Sequence, residues 1–196
     1  MAEPIRYQSV VSPTSYDTAG FPFKAVFNGT NQFMQHAELD MTSTDEVTLW
    51  ASLLKESDAA VTVVYEISTA AAGLDISVNA PGTAGSPQIR VNTRVGGPVA
   101  DIQASGYPAP AKVGLIAKFK VSTDTANLSI AGVQVGSSAT DQGTGNYRNN
   151  PGYIGARTGE SLFFKGELYE IGIAGRVITD GQLANLNARM TRSAKI

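Results

Sequence analysis

Residues 152–186 read GYIGARTGESLFFKGELYEIGIAGRVITDGQLANL, and their order of signals decides the fold. Across Leu162–Ala174 the residues alternate between two sets. Phe164, Gly166, Leu168, Glu170, Gly172 and Ala174 share one parity; Phe163, Glu167, Tyr169, Ile171 and Ile173 share the other. A period of two marks a strand with two distinct faces. A helix start follows at once. Thr179 and Gln182 have the spacing of a capping box, in which each side chain satisfies an orphan amide of the first turn. Ile178 and Leu183 are placed to close a hydrophobic staple, and Asp180 sets negative charge at the positive end of the helix dipole. Leu183, Leu186 and Met190 then share one helical face, with Arg189 and Arg192 toward the C-terminal end.

This closing segment resembles the end of the concanavalin A-like, laminin-G-like jelly roll. The residues that carry the resemblance are Ile154-Gly155-Ala156, then Phe164 through Ile173, then Ile178-Thr179-Asp180-Gly181-Gln182-Leu183. Two upstream stretches add to it: Phe27-Asn28-Gly29-Thr30-Asn31 with Phe33, and Asp45–Leu54. In the latter Ser52 stands where the family often has tryptophan, and the single Trp sits two residues earlier. The resemblance implies an all-β, two-sheet antiparallel jelly-roll sandwich with one short C-terminal helix. It does not imply one activity, because the superfamily holds enzymes, lectins and structural modules.

Composition agrees with that architecture. The chain has 196 residues, 42% apolar and 16% charged, with twenty glycines and nine prolines scattered between short apolar runs. That is the pattern of an all-β domain with many turns. A net charge of −2 lacks the basic footprint that nucleic-acid binding requires. With no cysteine, a thiolate nucleophile, a disulfide and cysteine-ligated metal sites are all excluded. No apolar run is long enough to span a bilayer, and MAEPIRYQSV lacks the form of a secretory signal, so cytoplasmic maturation without membrane insertion is expected.

Residues 1–23, with Pro4, Pro13 and Pro22, read as an extended N-terminal arm, either an edge strand or a grip on a neighbouring subunit; residues 24–196 form the jelly-roll domain. Lys24–Met34 reads as two short strands hinged at Asn28-Gly29. In Asp45–Leu54 the inward set is Val47, Leu49, Ala51 and Leu53. Ala60–Ile67 and Leu74–Asn79 form a pair. Gln88–Arg94 reads as half exposed, with Ile89 and Val91 on its apolar face. Val113–Val121 is a strand, and Leu128–Val135 a hairpin turning at Ala131-Gly132. Ser137–Gly152 is the longest stretch without apolar content, which favours a functional or mobile loop.

The search for chemistry yields no catalytic residue. A glycosidase of this superfamily would need acids alternating along one strand, and Glu167 and Glu170, separated by two residues, are expected on opposite faces. His36, the only histidine, has no nucleophile elbow to serve. Calcium would need several carboxylates, and the Ser137–Gly152 loop brings only Asp141, with Asn146, Asn149 and Asn150 as neutral donors. No metal or cofactor is therefore expected. For sugar binding the useful chemistry is an exposed aromatic flanked by amides and charged donors. The candidates are Trp50, Tyr107, Tyr147, Arg148 and Asn149, against the alternative that Trp50 packs under another segment and Tyr147 anchors its loop.

Small, free-standing domains of this superfamily, cysteine-free and without a signal peptide, look like structural proteins of tailed bacteriophages. The resemblance thus implies a non-enzymatic virion protein, a capsid decoration or tail accessory assembled in the host cytoplasm. Its partners would be other virion proteins and further copies of itself. The alternative is a lectin-like module for host-surface glycans.

Overall fold

The computed structural model describes residues 7–8, 15–17, 24–69 and 73–194. Two antiparallel sheets and one helix make up the described fold. The strands are β1 (Tyr7–Gln8), β2 (Ser15–Asp17), β3 (Lys24–Asn28), β4 (Met34–Leu39), β5 (Glu46–Lys55), β6 (Val63–Thr69) and β7 (Gly73–Asn79). They continue as β8 (Gln88–Thr93), β9 (Ala100–Ser105), β10 (Ala111–Lys120), β11 (Thr125–Ile130), β12 (Val133–Ser138), β13 (Asn150–Ile154) and β14 (Lys165–Ala174), before helix α1 (Asp180–Ala194). Sheet A has the order β1-β4-β13-β6-β7-β8-β9, and sheet B the order β12-β11-β10-β5-β14-β3-β2. The crossovers between sheets are those of a jelly roll.

Strand alternation builds the core. On β5, Val47, Leu49, Ala51 and Leu53 are fully buried. They stand opposite Phe119, Ala117, Leu115 and Val113 of β10 in an unbroken register. Sheet A answers with Ile67, Ile76, Val78, Ile89, Val91 and Ile102, which join the same apolar cluster. The expected inward set of β5 is therefore the one observed. The β11–β12 hairpin turns at Ala131 (φ 50°) and Gly132 (φ 81°), the two consecutive positive φ values of the tight turn that matches strand twist.

Helix α1 lies on the outer face of sheet B. Its capping box is formed: the Thr179 amide donates to Gln182 Oε1 at 3.0 Å, and the Gln182 amide to Thr179 Oγ1 at 3.4 Å. Ile178, Met190 and Ile116 form a second apolar cluster, with Trp50, Leu183 and Leu186 packed against it. The staple and the apolar helical face thus anchor the helix to β5 and β10.

Three sequence expectations are corrected. First, Lys24–Met34 does not hold two strands hinged at Asn28-Gly29: β3 ends at Asn28, β4 begins only at Met34, and the two pair in different sheets, β3 with β14 in sheet B and β4 with β13 in sheet A. The left-handed Gly29 (φ 76°) passes the chain between sheets instead. Second, β14 does not alternate throughout. Leu168 faces Leu53 but Glu170 faces Ser52, so Tyr169 is an extra residue and the parity inverts there. Ile171 and Ile173, opposite Ala51 and Leu49, turn to the core, and Glu167 and Glu170 share the outer face. Third, β8 is not half exposed: Gln88 and Asn92 are buried, along with much of the outward face of sheet A.

Candidate binding surfaces

From β4 to β9 the outward face of sheet A carries mostly polar side chains. With Ile67, Ile76, Val78, Val91 and Ile102 turned inward, alternation sends their neighbours outward. Register then lines up one row across six strands: Gln35, Tyr153, Glu66, Ser77, Asn92 and Asp101. At about 4.8 Å between strands the row spans roughly 24 Å. Its members lie far apart in sequence, so no local motif announced them. Glu66 was visible only as a charge inside the apolar run Ala60–Ile67.

Two buried carboxylates sit on this face, Glu66 at 1% and Asp75 at 1% exposure. Glu66 accepts from Ser68 Oγ at 2.6 Å and from Arg157 Nε at 3.2 Å. Asp75 accepts from Arg148 Nε at 3.2 Å, from Arg148 Nη2, and from Asn150 Nδ2. The bond to Asp75 raises the Arg148 pKa above its already high value. Further along, Arg90 Nε donates to Asp101 at 2.8 Å, and Gln103 supports the same carboxylate at 2.9 Å. Each of Glu66 and Asp75 has both oxygens occupied by fixed donors, an arrangement for an acceptor and not for a proton donor.

Between these pairs runs an amide–hydroxyl chain. Asn92 Nδ2 donates to Ser77 Oγ at 3.2 Å, Ser77 to Asn79 Oδ1 at 3.1 Å, and Asn79 Nδ2 to the Thr62 carbonyl at 3.1 Å. The Asn92 Oδ1 atom is buried without a partner among the described residues. An unpaired buried acceptor costs about 1–3 kcal/mol, a debt that a hydroxyl or water donor would relieve.

The residues singled out in the sequence fall in separate places. Trp50 lies beneath α1 on the outer face of sheet B, where its Nε1 donates to Glu170 at 2.9 Å and the Arg189 guanidinium stands 5.9 Å from the ring centre. Tyr147 is buried, its hydroxyl 2.7 Å from Thr93 Oγ1, and burial pushes its phenol pKa well up. Tyr107 is partly buried against the core, and its carbonyl accepts from Lys55 Nζ at 2.5 Å. Arg148 holds Asp75, and Asn149 is exposed. Of the five, Tyr147, Arg148 and Asn149 are adjacent in the chain, but the structure does not gather the set into one pocket.

The loop between β12 and β13 is pinned. Asn146 Nδ2 donates to the Thr42 carbonyl at 2.7 Å, the Tyr147 amide to the Thr44 carbonyl at 3.0 Å, and the Val95 amide to the Gln142 carbonyl at 2.6 Å. An open groove of about 540 Å³ beside it is lined by Asp45, Ser122, Asp124, Asp141 and Asn146. Each aspartate there already accepts a backbone amide, from Ser122, Gln142 and Gly143 respectively. Among the described residues, no group of three or more His, Cys, Asp or Glu is placed to hold a metal ion. No helix among them is long and apolar enough to cross a membrane.

Comparison with known proteins agrees with this geometry. The heptameric SAP-like pentraxin of Limulus polyphemus superimposes with a TM-score of 0.66 at 10% identity, over 84% of this chain and 81% of that one. The binding domain of botulinum neurotoxin DC, in complex with rat synaptotagmin II, gives 0.69 at 10% identity over 95% of this chain and 46% of that one. Trypanosoma rangeli sialidase, in complex with the inhibitor DANA, gives 0.64 at 12% identity over 92% and 32%. This chain therefore spans under half of the toxin domain and about a third of the sialidase. At such identities the likeness is one of fold. No curated protein matches the sequence. A family model of the concanavalin A-like lectin/glucanase superfamily, of the laminin G type, matches residues 28–184. By that match and by its two-sheet jelly roll, the chain belongs to the concanavalin A-like lectin/glucanase superfamily.

Proposed function

We propose that this protein is a non-enzymatic structural or accessory component of a bacteriophage virion, a capsid decoration or tail accessory assembled in the host cytoplasm. It acts through contacts with other virion proteins and with copies of itself. The observation that carries the non-enzymatic reading is the state of Glu66 and Asp75. Retaining and inverting glycosidases need one carboxyl free to give a proton and another free to attack or to activate water. Here Glu66 is closed by Arg157 and the Ser68 hydroxyl, and Asp75 by Arg148 and the Asn150 amide. Relatives of like fold support a holding role: the toxin domain is seen gripping synaptotagmin II, and the pentraxin is heptameric. Mass spectrometry and immunogold electron microscopy of purified phage particles test the virion reading, which predicts the chain at a fixed copy number per particle. Its absence from particles, or sugar release by the pure chain that Glu66→Gln or Asp75→Asn abolishes, overturns it.

A second reading, recognition of a glycan, draws on the unpartnered Asn92 acceptor in a polar row that also holds Tyr153. A sugar hydroxyl could donate to Asn92, and the arginines could meet its oxygens. A glycan array with Asn92→Ala and Tyr153→Ala variants tests it: binding lost in both supports the reading, and an empty array removes it. Trp50→Ala and Tyr147→Ala serve as controls that perturb stability.

A further inference from the structure

We infer that the outer face of sheet B carries an oxyanion site, a groove built around Lys118 that takes a phosphate-sized group. The site lies apart from the polar face of sheet A and depends on neither functional reading given above. It sits where β10 and β11 run side by side, next to the segment that leads into α1. A groove of about 240 Å³ opens there, and its lining includes Glu46, Lys118, Lys120, Thr123, Thr125 and Asn127. Alternation sets its floor. Ala117 and Phe119 of β10, with Ala126 and Leu128 of β11, are buried in the core, so Lys118, Lys120, Thr125 and Asn127 point outward. Register places Lys118 beside Asn127 and Lys120 beside Thr125.

The two lysines differ in what holds them. Lys120 Nζ meets Glu46 Oε1 at 2.6 Å, and the Val177 amide donates to Glu46 Oε2 at 3.1 Å. Both oxygens of that carboxylate are filled, and the pair is neutral. Lys118 has no such closure. Its side chain is 19% exposed, so the ammonium has lost much of its water, yet its partner among the described residues is Asp180 at 3.9 Å. That distance is beyond a hydrogen bond, and the Asp180 side chain is 99% exposed, so the attraction is largely screened. Lys118 therefore lines the groove with three N–H donors that no protein acceptor takes. The Thr125 hydroxyl donates to the Thr123 carbonyl at 3.2 Å, which leaves the neighbouring Thr123 hydroxyl to turn to a ligand. Asn127 adds a side-chain amide.

Chemistry and size name the ligand. Free donors around a groove whose own carboxylate is already filled call for an anion. A compact ammonium with hydroxyl and amide donors suits the tetrahedral oxygens of phosphate, whereas planar carboxylates favour the fork of an arginine. The groove is smaller than the roughly 300–1,000 Å³ of an ordinary small-molecule pocket, so it holds a head group and not a sugar chain. The group is either free phosphate or the phosphate of a small ester.

Amide NMR titration of the full chain with inorganic phosphate and with glycerol phosphate, against sodium chloride at matched ionic strength, tests the inference. Saturable shifts are expected at Lys118, Thr123, Thr125 and Asn127, with Kd in roughly the millimolar range. A tighter fit to glycerol phosphate supports an ester as the ligand, and equal fits support the ion itself. Lys118→Met should weaken binding about tenfold or more, while Lys165→Met, at an exposed position of β14, should leave it unchanged. In case Lys118→Met does not fold, Asp180→Asn gives a second readout: with the competing carboxylate gone, binding should tighten about threefold. Shifts that chloride reproduces, titrations that do not saturate, equal loss in the two lysine variants, or an Asp180→Asn chain that binds no more tightly overturns the inference.

Discussion

Trp50 and Glu170 are joined by a 2.9 Å hydrogen bond from the indole Nε1 to Oε1, and the same oxygen accepts from Arg189 of helix α1. The tryptophan thus fastens the helix to sheet B by packing and by a shared acceptor. Trp50→Ala should cost about 3 kcal/mol, near the low end for a large aromatic because the ring is not wholly enclosed. Trp50→Phe should cost about 1 kcal/mol, the value of one hydrogen bond. Urea denaturation followed by circular dichroism measures both. The Arg189 contribution is largely screened at this exposed position, so Arg189→Ala should change stability by less than about 1 kcal/mol.

His36 lies 3% exposed on the inward face of sheet A, stacked on Tyr65. The ring Nδ1 donates to the Ala37 carbonyl at 2.7 Å, which leaves Nε2 to accept from the Tyr65 hydroxyl at 2.9 Å. Burial lowers its pKa below the ordinary 6.5. The folded state therefore binds fewer protons than the unfolded chain at pH values just below 6.5. Stability should decline as pH falls from about 6.5 through the folded pKa, by at most about 1.4 kcal/mol per pH unit for one group. Chemical denaturation between pH 7.5 and 5, with His36→Gln as the non-titrating reference, should show that slope in the natural chain and a flatter line in the variant.

Gly152 sits against the same ring. A Cβ there would come within 1.9 Å of His36 Nε2, far inside contact distance. Gly152→Ala should destabilise the fold by at least about 2 kcal/mol, as overpacking does. In the His36→Ala background the same change should cost less, because the obstructing ring is gone. A double-mutant cycle reads the coupling directly, and strict additivity would refute the contact.

Lys55 is fully buried, with its ammonium 2.5 Å from both Asp58 Oδ1 and the Tyr107 carbonyl. Asp58 Oδ2 in turn accepts the Ala109 amide at 2.7 Å. One cation so ties the strand end of β5 to the proline-containing loop before β10. Lys55→Met leaves Asp58 and the Tyr107 carbonyl short of a donor and should cost about 3 kcal/mol. Lys55→Arg should not restore stability, because a planar fork cannot take the place of a compact ammonium. Thermal unfolding, with limited proteolysis at residues 106–110, would report both effects.

What could be read in the chain itself was whatever depends on near neighbours. Val47, Leu49, Ala51 and Leu53 point inward as expected because β5 and β10 run together without irregularity. Thr179 and Gln182 cap the helix because a capping box needs only four residues to declare itself. Tyr169 defeated the same reasoning: one inserted residue reverses every side chain after it, and nothing in the local pattern marks the insertion. Glu167 and Glu170 consequently came to one face, although they serve different partners, Lys24 with Tyr169 in one case and Trp50 with Arg189 in the other. The row from Gln35 to Asp101 was hidden for a different reason. It exists only through strand pairing between distant parts of the chain, so Glu66 and Asn92 carried no sign of their neighbours.

The strands nearest the chain's start reach both layers of the sandwich: β1 borders β4 in sheet A, and β2 borders β3 in sheet B. Two short strands thereby cover one border of β4 and one border of β3. Cutting both strands away, by protease or by a shortened gene, would in one stroke move each sheet's border from a strand of two or three residues to the longer β4 and β3, and so make the molecule stickier.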